Sequence, residues 1–341
     1  MYPPAEEIPL AANPEPPVGV QEVAVQTSAD FKVWLDIDNK TCDATFAAWN
    51  SSACRVPEAR AREMRRAYYA CTTYVDKSIG MVLDALEANG FADDTVITVV
   101  GDHGWHLGEL NEWAKYTNYE QGVRIPFFLH LAGQTTGTRT AALAEGEDIY
   151  PTVAEAAGLA PPPICADLTD QTPICVHGVS AVPLAADPDQ TWKGAAFQQY
   201  PQAPWTFGSY TCCVKAPNPY VTRRRLYGRY PRPDRGFDTI DGFPEFNLTH
   251  SKTEDAMGYS VRTDTWRYTE WVAFDNANAV ADWDVLYGRE LYSHEDAPVP
   301  DASFDYNNHN LAFEESYQEL VANLSAVLRA GWREQLPPSV R

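Results

Sequence analysis

Hydrophobic residues recur at spacings of three and four between Pro57 and Gly90, which predicts one long amphipathic helix. Proline suits the first helical position and glycine suits the position just past the last turn, so both ends carry a signal. We expect the apolar stripe of this helix to be part of a core. Its members are Met64, Ala67, Tyr68, Cys71, Tyr74, Val75, Ile79, Val82, Leu83 and Leu86.

Two strand patterns and a second helix follow. Residues 95–100 (TVITVV) have no polar alternation, which predicts a strand buried on both faces, as in a parallel sheet under helices. Residues 125–131 (IPFFLHL) predict a second strand that starts at Pro126 or lies at an edge, because proline cannot donate to a ladder. A short helix over 148–159 completes an α/β order.

The second half of the chain has a different pattern. Beyond Ala160 the composition shifts toward Pro, Tyr, Trp and Arg, with little periodicity. Residues 258–263 and 266–274 predict two strands joined by a two-residue turn, and Glu290–Tyr292 predicts a short strand. Apolar residues at helical spacing over 313–332 predict a closing helix. We therefore expect an α+β region in which one helix packs on a small antiparallel sheet.

Composition narrows the classes of function. The 26 Lys+Arg and 47 Asp+Glu give a net charge of −21, which argues against broad nucleic-acid binding. An anionic small substrate is compatible with this charge, because a local basic pocket can outweigh distant charges. No apolar run approaches the ~18 residues of a membrane span.

The cysteines and glycosylation tripeptides favour an oxidising compartment. Cys165 and Cys175 flank a short polar loop, a spacing that suits a local disulfide, and Cys42 and Cys54 are a second candidate pair. The alternative is that all seven cysteines are free thiols of a cytosolic protein. The N-x-[ST] tripeptides lean toward a secretory route. They begin at Asn39, Asn50, Asn247 and Asn323.

The candidate chemistry follows the first predicted strand. Asp102 and His103 come at its carboxyl end, where ligands bind in open α/β sheets. A carboxylate beside an imidazole can bind a divalent cation. Lys115 lies in the next loop, where an ammonium group could hold an anionic oxygen. The alternative is a capped turn in which His103 bonds to a backbone carbonyl.

Six segments in series resemble the sulfatases of the alkaline-phosphatase-like superfamily, and most closely the iduronate-2-sulfatase group. The most specific are DHGWHLGE at 102–109, WAKYTNYE at 113–120 and RIP at 124–126. The others, in family order, are PTVAEAAGL at 151–159, QQYPQAP at 198–204 and MGYSVRTDTWRYTEWV at 257–272.

The resemblance implies an architecture. We expect an α/β fold, a partial sulfatase sheet sandwiched by helices, followed by a smaller α+β subdomain with an antiparallel sheet and a closing helix. The carboxyl-terminal part of the catalytic domain would occupy residues 1–188, and the carboxyl-terminal subdomain would occupy residues 189–341.

The resemblance also implies roles for individual residues. Asp102 and His103 would help to ligate one calcium ion, and Lys115 would contact the sulfate. Trp105 would be a wall of the sugar pocket. His106 departs from some members, which have a small residue there, and we expect it to be a surface residue or one that supports the site from behind.

Substrate and compartment follow from the same resemblance. The iduronate-2-sulfatase group acts on sulfated glycosaminoglycans that contain uronic acids. The Cys165–Cys175 pair falls at the position where this group carries a disulfide. We expect a secretory, lysosomal or extracellular protein. Residues 1–19 contain no basic segment followed by an apolar one, so they are not a signal peptide.

The family nucleophile is a formylglycine made from the Cys or Ser of a C/S-x-P-x-R motif, and the 341 residues contain no such motif. The paired aspartates that complete the calcium shell are missing too. We expect the chain alone not to hydrolyse sulfate esters. A fragment with its nucleophile upstream of Met1 is the favoured explanation. The others are a second polypeptide that joins an amino-terminal half, and a non-catalytic glycan-binding protein.

A different enzyme class is also considered. Phosphatases and phosphodiesterases of the superfamily carry Asp-His-Gly as part of a zinc site. They need further Asp and His ligands for a second metal, and the remaining histidines show no such spacing. The continuation from Trp113 to Asn118 fits sulfatases better.

Overall fold

The computed structural model describes residues 2–25, 55–166, 174–202, 255–275, 278–294 and 308–340. The elements before residue 190 are helix α1 (Glu58–Ala88), strands β1 (Ile97–Val100), β2 (His106–Leu107) and β3 (Trp113–Ala114), helix α2 (Glu120–Val123), strand β4 (Phe127–His130) and helices α3 (Ile149–Ala156) and α4 (Val182–Ala186). The later elements are strands β5 (Ala196–Gln202), β6 (Asp255–Arg262), β7 (Trp266–Asp275) and β8 (Val280–Ser293) and helix α5 (Gln318–Ala330).

Helix α1 confirms the predicted long helix but not the expected burial of its stripe. The helix starts after Pro57, and Gly90 beyond its end has a φ of +74°. Residues 2–8 cover its first turns, where Arg66 Nε donates to the Pro3 carbonyl at 2.8 Å. Further along, Tyr74 and Val82 are 74% and 68% exposed. No element within the described ranges covers that part of the stripe.

Strands β1 and β4 form a two-stranded sheet that differs from the predicted one. They run antiparallel, with Ile97 opposite His130 and Val100 opposite Phe127. Strand β1 is half-buried, so the expected parallel strand buried on both faces is wrong for the part of the chain that the structure describes. Strand β4 does start directly after Pro126, as predicted from the missing amide proton.

The second half forms a four-stranded antiparallel sheet in the order β5-β6-β7-β8. The predicted hairpin is confirmed as β6 and β7, whose turn is closed by a 2.8 Å bond from the Thr263 amide to the Trp266 carbonyl. The short strand predicted at Glu290–Tyr292 is part of the much longer β8. Strand β5 was not predicted.

Helix α5 packs its apolar stripe on this sheet, as predicted. The core that the two elements share consists of Ala195, Val261, Tyr268, Leu291, Ala312, Val321, Leu324 and Leu328. Buried Glu270 on β7 adds polar contacts, since it accepts from Ser325 Oγ at 2.6 Å and from Arg329 Nη2 at 2.7 Å. The helix is therefore held by both apolar burial and charge-assisted hydrogen bonds.

Buried Lys193 joins the segments on either side of residue 188. Its Nζ lies 2.6 Å from Glu145 Oε2 and 2.7 Å from Asp148 Oδ1, just before α3. Burial opposes the charge of Lys193, but the two carboxylates outweigh burial and raise its pKa. The domain boundary at residue 188 stays a prediction.

The disulfide between Cys165 and Cys175 is present, as predicted. Asn323 is exposed on α5. None of the helices in the described ranges has the length and hydrophobicity that crossing a bilayer requires. The other candidate pair and the remaining tripeptides, at Cys42, Cys54, Asn39, Asn50 and Asn247, lie outside the described residues.

Truncation of Leu324 tests the packing of α5 on the sheet. Leu324→Ala is expected to lower the free energy of unfolding by about 2–5 kcal/mol, because it leaves a cavity in a closed core. Asn323→Ala, at the exposed neighbouring position, should change it by less than about 0.5 kcal/mol. Denaturant unfolding measures both, and equal effects would contradict this packing.

Candidate functional site

The loop after β1 brings Asp102 and His103 together. The Asp102 side chain is 86% exposed, and its Oδ2 lies 3.2 Å from His103 Nε2. The His103 backbone amide also donates to Asp102 Oδ1 at 3.1 Å. His103 Nδ1 lies 2.8 Å from the Gly104 carbonyl oxygen. Both predicted metal ligands therefore converge at the carboxyl end of the strand.

This geometry suits a cation. A carbonyl oxygen only accepts, so His103 Nδ1 donates to Gly104, and Nε2 faces Asp102 Oδ2. A carboxylate and an imidazole nitrogen that face each other can share a divalent cation. Metal-binding histidines commonly bond a carbonyl through their other nitrogen. The bond from His103 to a backbone carbonyl, which the sequence offered as an alternative to metal binding, is therefore compatible with metal binding.

Two ligands are too few for calcium, which takes about 6–8. Within the described ranges, no group of three or more His, Cys, Asp or Glu side chains is arranged to hold a metal ion. Asp102 and His103 offer the oxygen and nitrogen donors that a divalent cation binds, but they supply only part of its coordination shell.

Trp105 stacks on two rings beside this pair. Its ring centroid lies 6.0 Å from that of His103 and 6.3 Å from that of Tyr68, with interplanar angles of 28° and 22°. Trp105 therefore borders the candidate metal ligands. Its role as a wall for a sugar stays a prediction.

A short hairpin, β2–β3, leads to Lys115. It pairs His106 with Ala114, which has a φ of +68°. Lys115 follows directly, is half-buried, and its ammonium group makes no hydrogen bond or ion pair within the part of the chain that the structure describes. A backbone bond of 3.0 Å from the Gly104 amide to the Gly122 carbonyl joins the two loops.

The turn of this hairpin is strained and held from two sides. Leu110 and Asn111 both have a φ of 59°, which costs energy for residues with a side chain. The Leu110 amide donates to the Asn13 carbonyl at 2.7 Å. From α1, Arg65 Nη1 lies 2.9 Å from both the Leu107 carbonyl and Glu109 Oε1. These contacts stabilise a backbone that would otherwise relax.

His106 is fully buried, so the first of its two expected places, at the surface, is wrong, and the second, behind the site, remains. Its Nε2 lies 2.8 Å from Thr117 Oγ1, and its ring packs edge-on against Tyr119. Burial lowers the pKa of His106 to about 4, although the carboxylate of Glu109 acts in the opposite direction. The imidazole is therefore neutral at physiological pH and supports the hairpin from inside.

Glu120 anchors the end of the Lys115 loop to the second sheet. Its Oε2 accepts hydrogen bonds from Arg262 Nε at 3.2 Å and from Arg267 Nη2. Burial by itself raises the pKa of Glu120, but Arg267 and Arg262 outweigh it and lower the pKa to about 2. Arg267 Nη1 also donates to the Asn118 carbonyl at 2.9 Å.

A second buried carboxylate lies next to this ion cluster. Glu290 on β8 accepts from Tyr119 Oη at 3.0 Å, Tyr292 Oη at 2.7 Å and Trp271 Nε1 at 2.9 Å. Burial raises the pKa of Glu290, whereas these three donors act to lower it. The contact between the site and the sheet is thus polar.

Comparison with known proteins identifies a family that this chain resembles. Residues 16–159 match the family described as Sulfatase. Iduronate 2-sulfatase of Mus musculus is 29% identical over 325 residues, which cover 87% of this chain and 52% of that protein. Its counterpart from Homo sapiens is 28% identical over 332 residues, covering 89% and 54%. The chain is therefore similar to sulfatases, and the family match lies in residues 16–159.

Comparison with solved structures shows the fold. The phosphonate monoester hydrolase from Silicibacter pomeroyi superposes with a TM-score of 0.56 at 17% identity, covering 98% of this chain and 52% of that one. The predicted alkaline-phosphatase-like α/β fold class is confirmed. The chain spans about half the length of the curated sulfatases that it matches.

Several residues that shape this candidate site were not predicted from the sequence. Thr117, Tyr119 and Glu120 lie within a motif that the sequence did mark. Tyr119 and Glu120 have partners far away along the chain, whereas Thr117 contacts His106 across the hairpin. Arg262 and Arg267 flank the turn of a predicted hairpin. Two arginines close together in an acidic protein are the sequence signal that could have indicated a buried carboxylate partner.

Neutralising Glu120 tests the anchor of the candidate site. Glu120→Gln is expected to lower the free energy of unfolding by about 3–5 kcal/mol near neutral pH, because it leaves two buried guanidinium groups without a carboxylate. The folded-state pKa of about 2 lies below the ordinary value of 4.5. The ionised carboxylate therefore stabilises the fold above pH 4.5, and its contribution is lost as pH falls toward 2.

The measurement is denaturant unfolding of wild type and variant at a series of pH values. The difference between them should shrink from pH 4.5 to pH 2. Glu319→Gln, at an exposed position of α5, is the matched control and should show little difference at any pH. A Glu120→Gln difference that is independent of pH would contradict the assignment of this ion cluster.

Proposed function

We propose that this chain supplies one part of the active site of a calcium-dependent sulfuric ester hydrolase of the iduronate-2-sulfatase type. Asp102 and His103 bind the cation, Lys115 binds the sulfate group, and Trp105 borders the sugar. The observation that carries the proposal is the convergence of Asp102 Oδ2 and His103 Nε2, 3.2 Å apart, at the carboxyl end of β1.

Each residue has a task in sulfate ester cleavage. Asp102 and His103 would hold a calcium ion, whose positive charge would polarise the sulfate oxygens. Asp102 and His103 hold that charge in place through one carboxylate and one imidazole. The Lys115 ammonium donates hydrogen bonds to a sulfate oxygen and offsets the charge that develops as the ester bond breaks. Trp105 offers an apolar face to the sugar ring and excludes water.

The nucleophile is assigned to a polypeptide outside these 341 residues. No C/S-x-P-x-R motif occurs in the chain, so no side chain here can become formylglycine. The chain covers only 52% of the mouse relative. The chain by itself is therefore expected to bind but not to cleave a sulfate ester.

The proposed substrate is the sulfate ester of a glycosaminoglycan-like sugar. Support comes from the two relatives named iduronate 2-sulfatase. A net charge of −21 repels a polyanion at long range, so binding must depend on local positive charge. Lys115 and the cation held by Asp102 and His103 provide that local charge.

The proposed partner is the amino-terminal half of a sulfatase domain, which would cover the exposed part of α1. Val75 and Val82 on this helix are 54% and 68% exposed, and Phe128 on β4 is 64% exposed. A two-stranded sheet with such a surface is marginal in water. The phosphonate monoester hydrolase from Silicibacter pomeroyi aligns with 98% of this chain. This alignment includes 52% of the hydrolase, and the rest of the hydrolase has no counterpart in this chain.

A secretory, lysosomal or extracellular location completes the proposal. The Cys165–Cys175 disulfide supports it, because disulfides persist in oxidising compartments. Exposed Asn323 is a candidate glycosylation site of such a protein.

The test of activity uses the polypeptide that the native transcript encodes from its start codon. We expect calcium-dependent release of sulfate from a 2-O-sulfated uronic acid disaccharide. Lys115→Ala should lower kcat/KM by about 10²–10³-fold, as expected when one donor to a developing charge is removed. Arg139→Ala removes an exposed positive charge elsewhere and should leave kcat/KM unchanged.

Three results would overturn parts of this proposal. Full activity of Lys115→Ala would remove Lys115 from the site. Zinc-dependent cleavage of phosphate esters in preference to sulfate esters would identify a phosphatase or phosphodiesterase instead. Binding of sulfated glycans without any turnover would identify a non-catalytic glycan-binding protein.

A paired substitution tests the proposed partner surface. Val75→Asn with Val82→Asn should lower the stability of the native polypeptide by about 2–4 kcal/mol, because burying two valines on an interface contributes about that much. The same pair should change the stability of the isolated 341-residue chain by less than about 0.5 kcal/mol, since both side chains are exposed there.

Asp76→Asn, on the same turn of the helix, is the matched control and should be neutral in both polypeptides. Thermal or denaturant unfolding gives the four stability differences. Equal, small effects in both polypeptides would show that the stripe is exposed in the native protein, and the proposed partner surface would be wrong.

A further inference from the structure

We propose that His106 is a positioning residue, which holds the Lys115 loop in place relative to Asp102 and His103 through its contact with Thr117. The inference rests on the proposed function only for the role of Lys115. The positioning itself follows from the packing of the hairpin.

One buried contact joins the two loops of the candidate site. His106 comes three residues after His103, and Thr117 comes two residues after Lys115. His106 Nε2 and Thr117 Oγ1 are 2.8 Å apart, and both residues are buried. Thr117 Oγ1 also accepts from the Tyr119 amide at 3.2 Å. A shift of the imidazole would therefore move the backbone on both sides of Lys115.

The surrounding packing leaves no room for the contact to slide. A Cβ atom on Gly122 would lie 2.8 Å from Thr117 Oγ1, 3.3 Å from His106 Nε2 and 3.4 Å from the Lys115 carbonyl oxygen. Gly104, between His103 and His106, donates to the Gly122 carbonyl at 3.0 Å. Both loops and α2 thus meet around one glycine.

The contact also extends to the second sheet. Tyr119 packs edge-on against His106, with ring centroids 6.3 Å apart, and its hydroxyl donates to Glu290. A smaller residue at position 106 would leave a cavity and a buried Thr117 hydroxyl without this bond, and both effects loosen the loop. The imidazole fills the space between the hairpin and the sheet and supplies the hydrogen bond.

Hydrogen exchange of the full chain tests the proposal. The decisive reporter is the Gly104 amide, because its own bond to the Gly122 carbonyl is untouched by substitutions at positions 106 and 117. His106→Leu and Thr117→Val should each raise its exchange rate about tenfold, and the double variant should add little more. His106→Gln retains a side-chain amide near the position of Nε2 and should restore slow exchange.

The Leu291 amide, bonded to Asn310 Oδ1 in the core of the second sheet, reports general stability and should not change. A second readout is acetylation of Lys115 with and without inorganic sulfate. Sulfate should protect Lys115 in wild type and His106→Gln but not in His106→Leu.

The outcomes separate the two proposals. Unchanged Gly104 exchange in His106→Leu, or an equal rise at Leu291, would overturn the positioning role. Absence of sulfate protection in every variant, with the exchange pattern intact, would overturn the sulfate-binding role of Lys115 and leave the positioning role standing. If His106→Leu does not fold, Thr117→Val and His106→Gln still decide between these results.

Discussion

The buried contact of Glu120 with Arg262 and Arg267 is the constraint on which the candidate site depends. It joins helix α2 to the β6–β7 hairpin across 142 and 147 residues of sequence. Removing these charges from water is costly, so the arrangement is stable only while all three groups are present and well oriented. Helix α2 directly follows the Lys115 loop, and fixing α2 therefore fixes the distance of that loop from the rest of the molecule.

Backbone hydrogen bonds connect this ion cluster to the candidate site, so the loops of the site cannot move independently of it. Gly122 lies in α2, and its carbonyl receives the Gly104 amide next to the candidate ligands. The strained turn at Leu110 is tied to Asn13, while Asn310 bonds the carbonyl of Gly19 in the same amino-terminal segment. The second sheet and the amino-terminal segment thus form a frame around the β2–β3 hairpin, which buries Leu110 and Trp113.

The sequence predicted what depends on local pattern and missed what depends on distant partners. Helices α1 and α5 and the β6–β7 hairpin follow from periodicity within each segment, and the motif around Asp102 was recognisable by its order. Burial of His106 could not be predicted, because it depends on Tyr119 and on a sheet far along the chain. Strand β5 was missed because AFQQYPQ has no clear alternation and contains a proline.

The exposed stripe of α1 and the incomplete ligand set have one physical explanation in the proposed enzyme. Strand β1 has a single paired neighbour in the described ranges, and its carboxyl end carries only two candidate ligands. Strands added beside β1 would satisfy its free edge and would bring their own carboxyl-end residues to the same cation. In the proposed enzyme, a segment outside these residues would thus both complete the metal shell and cover Val75 and Val82.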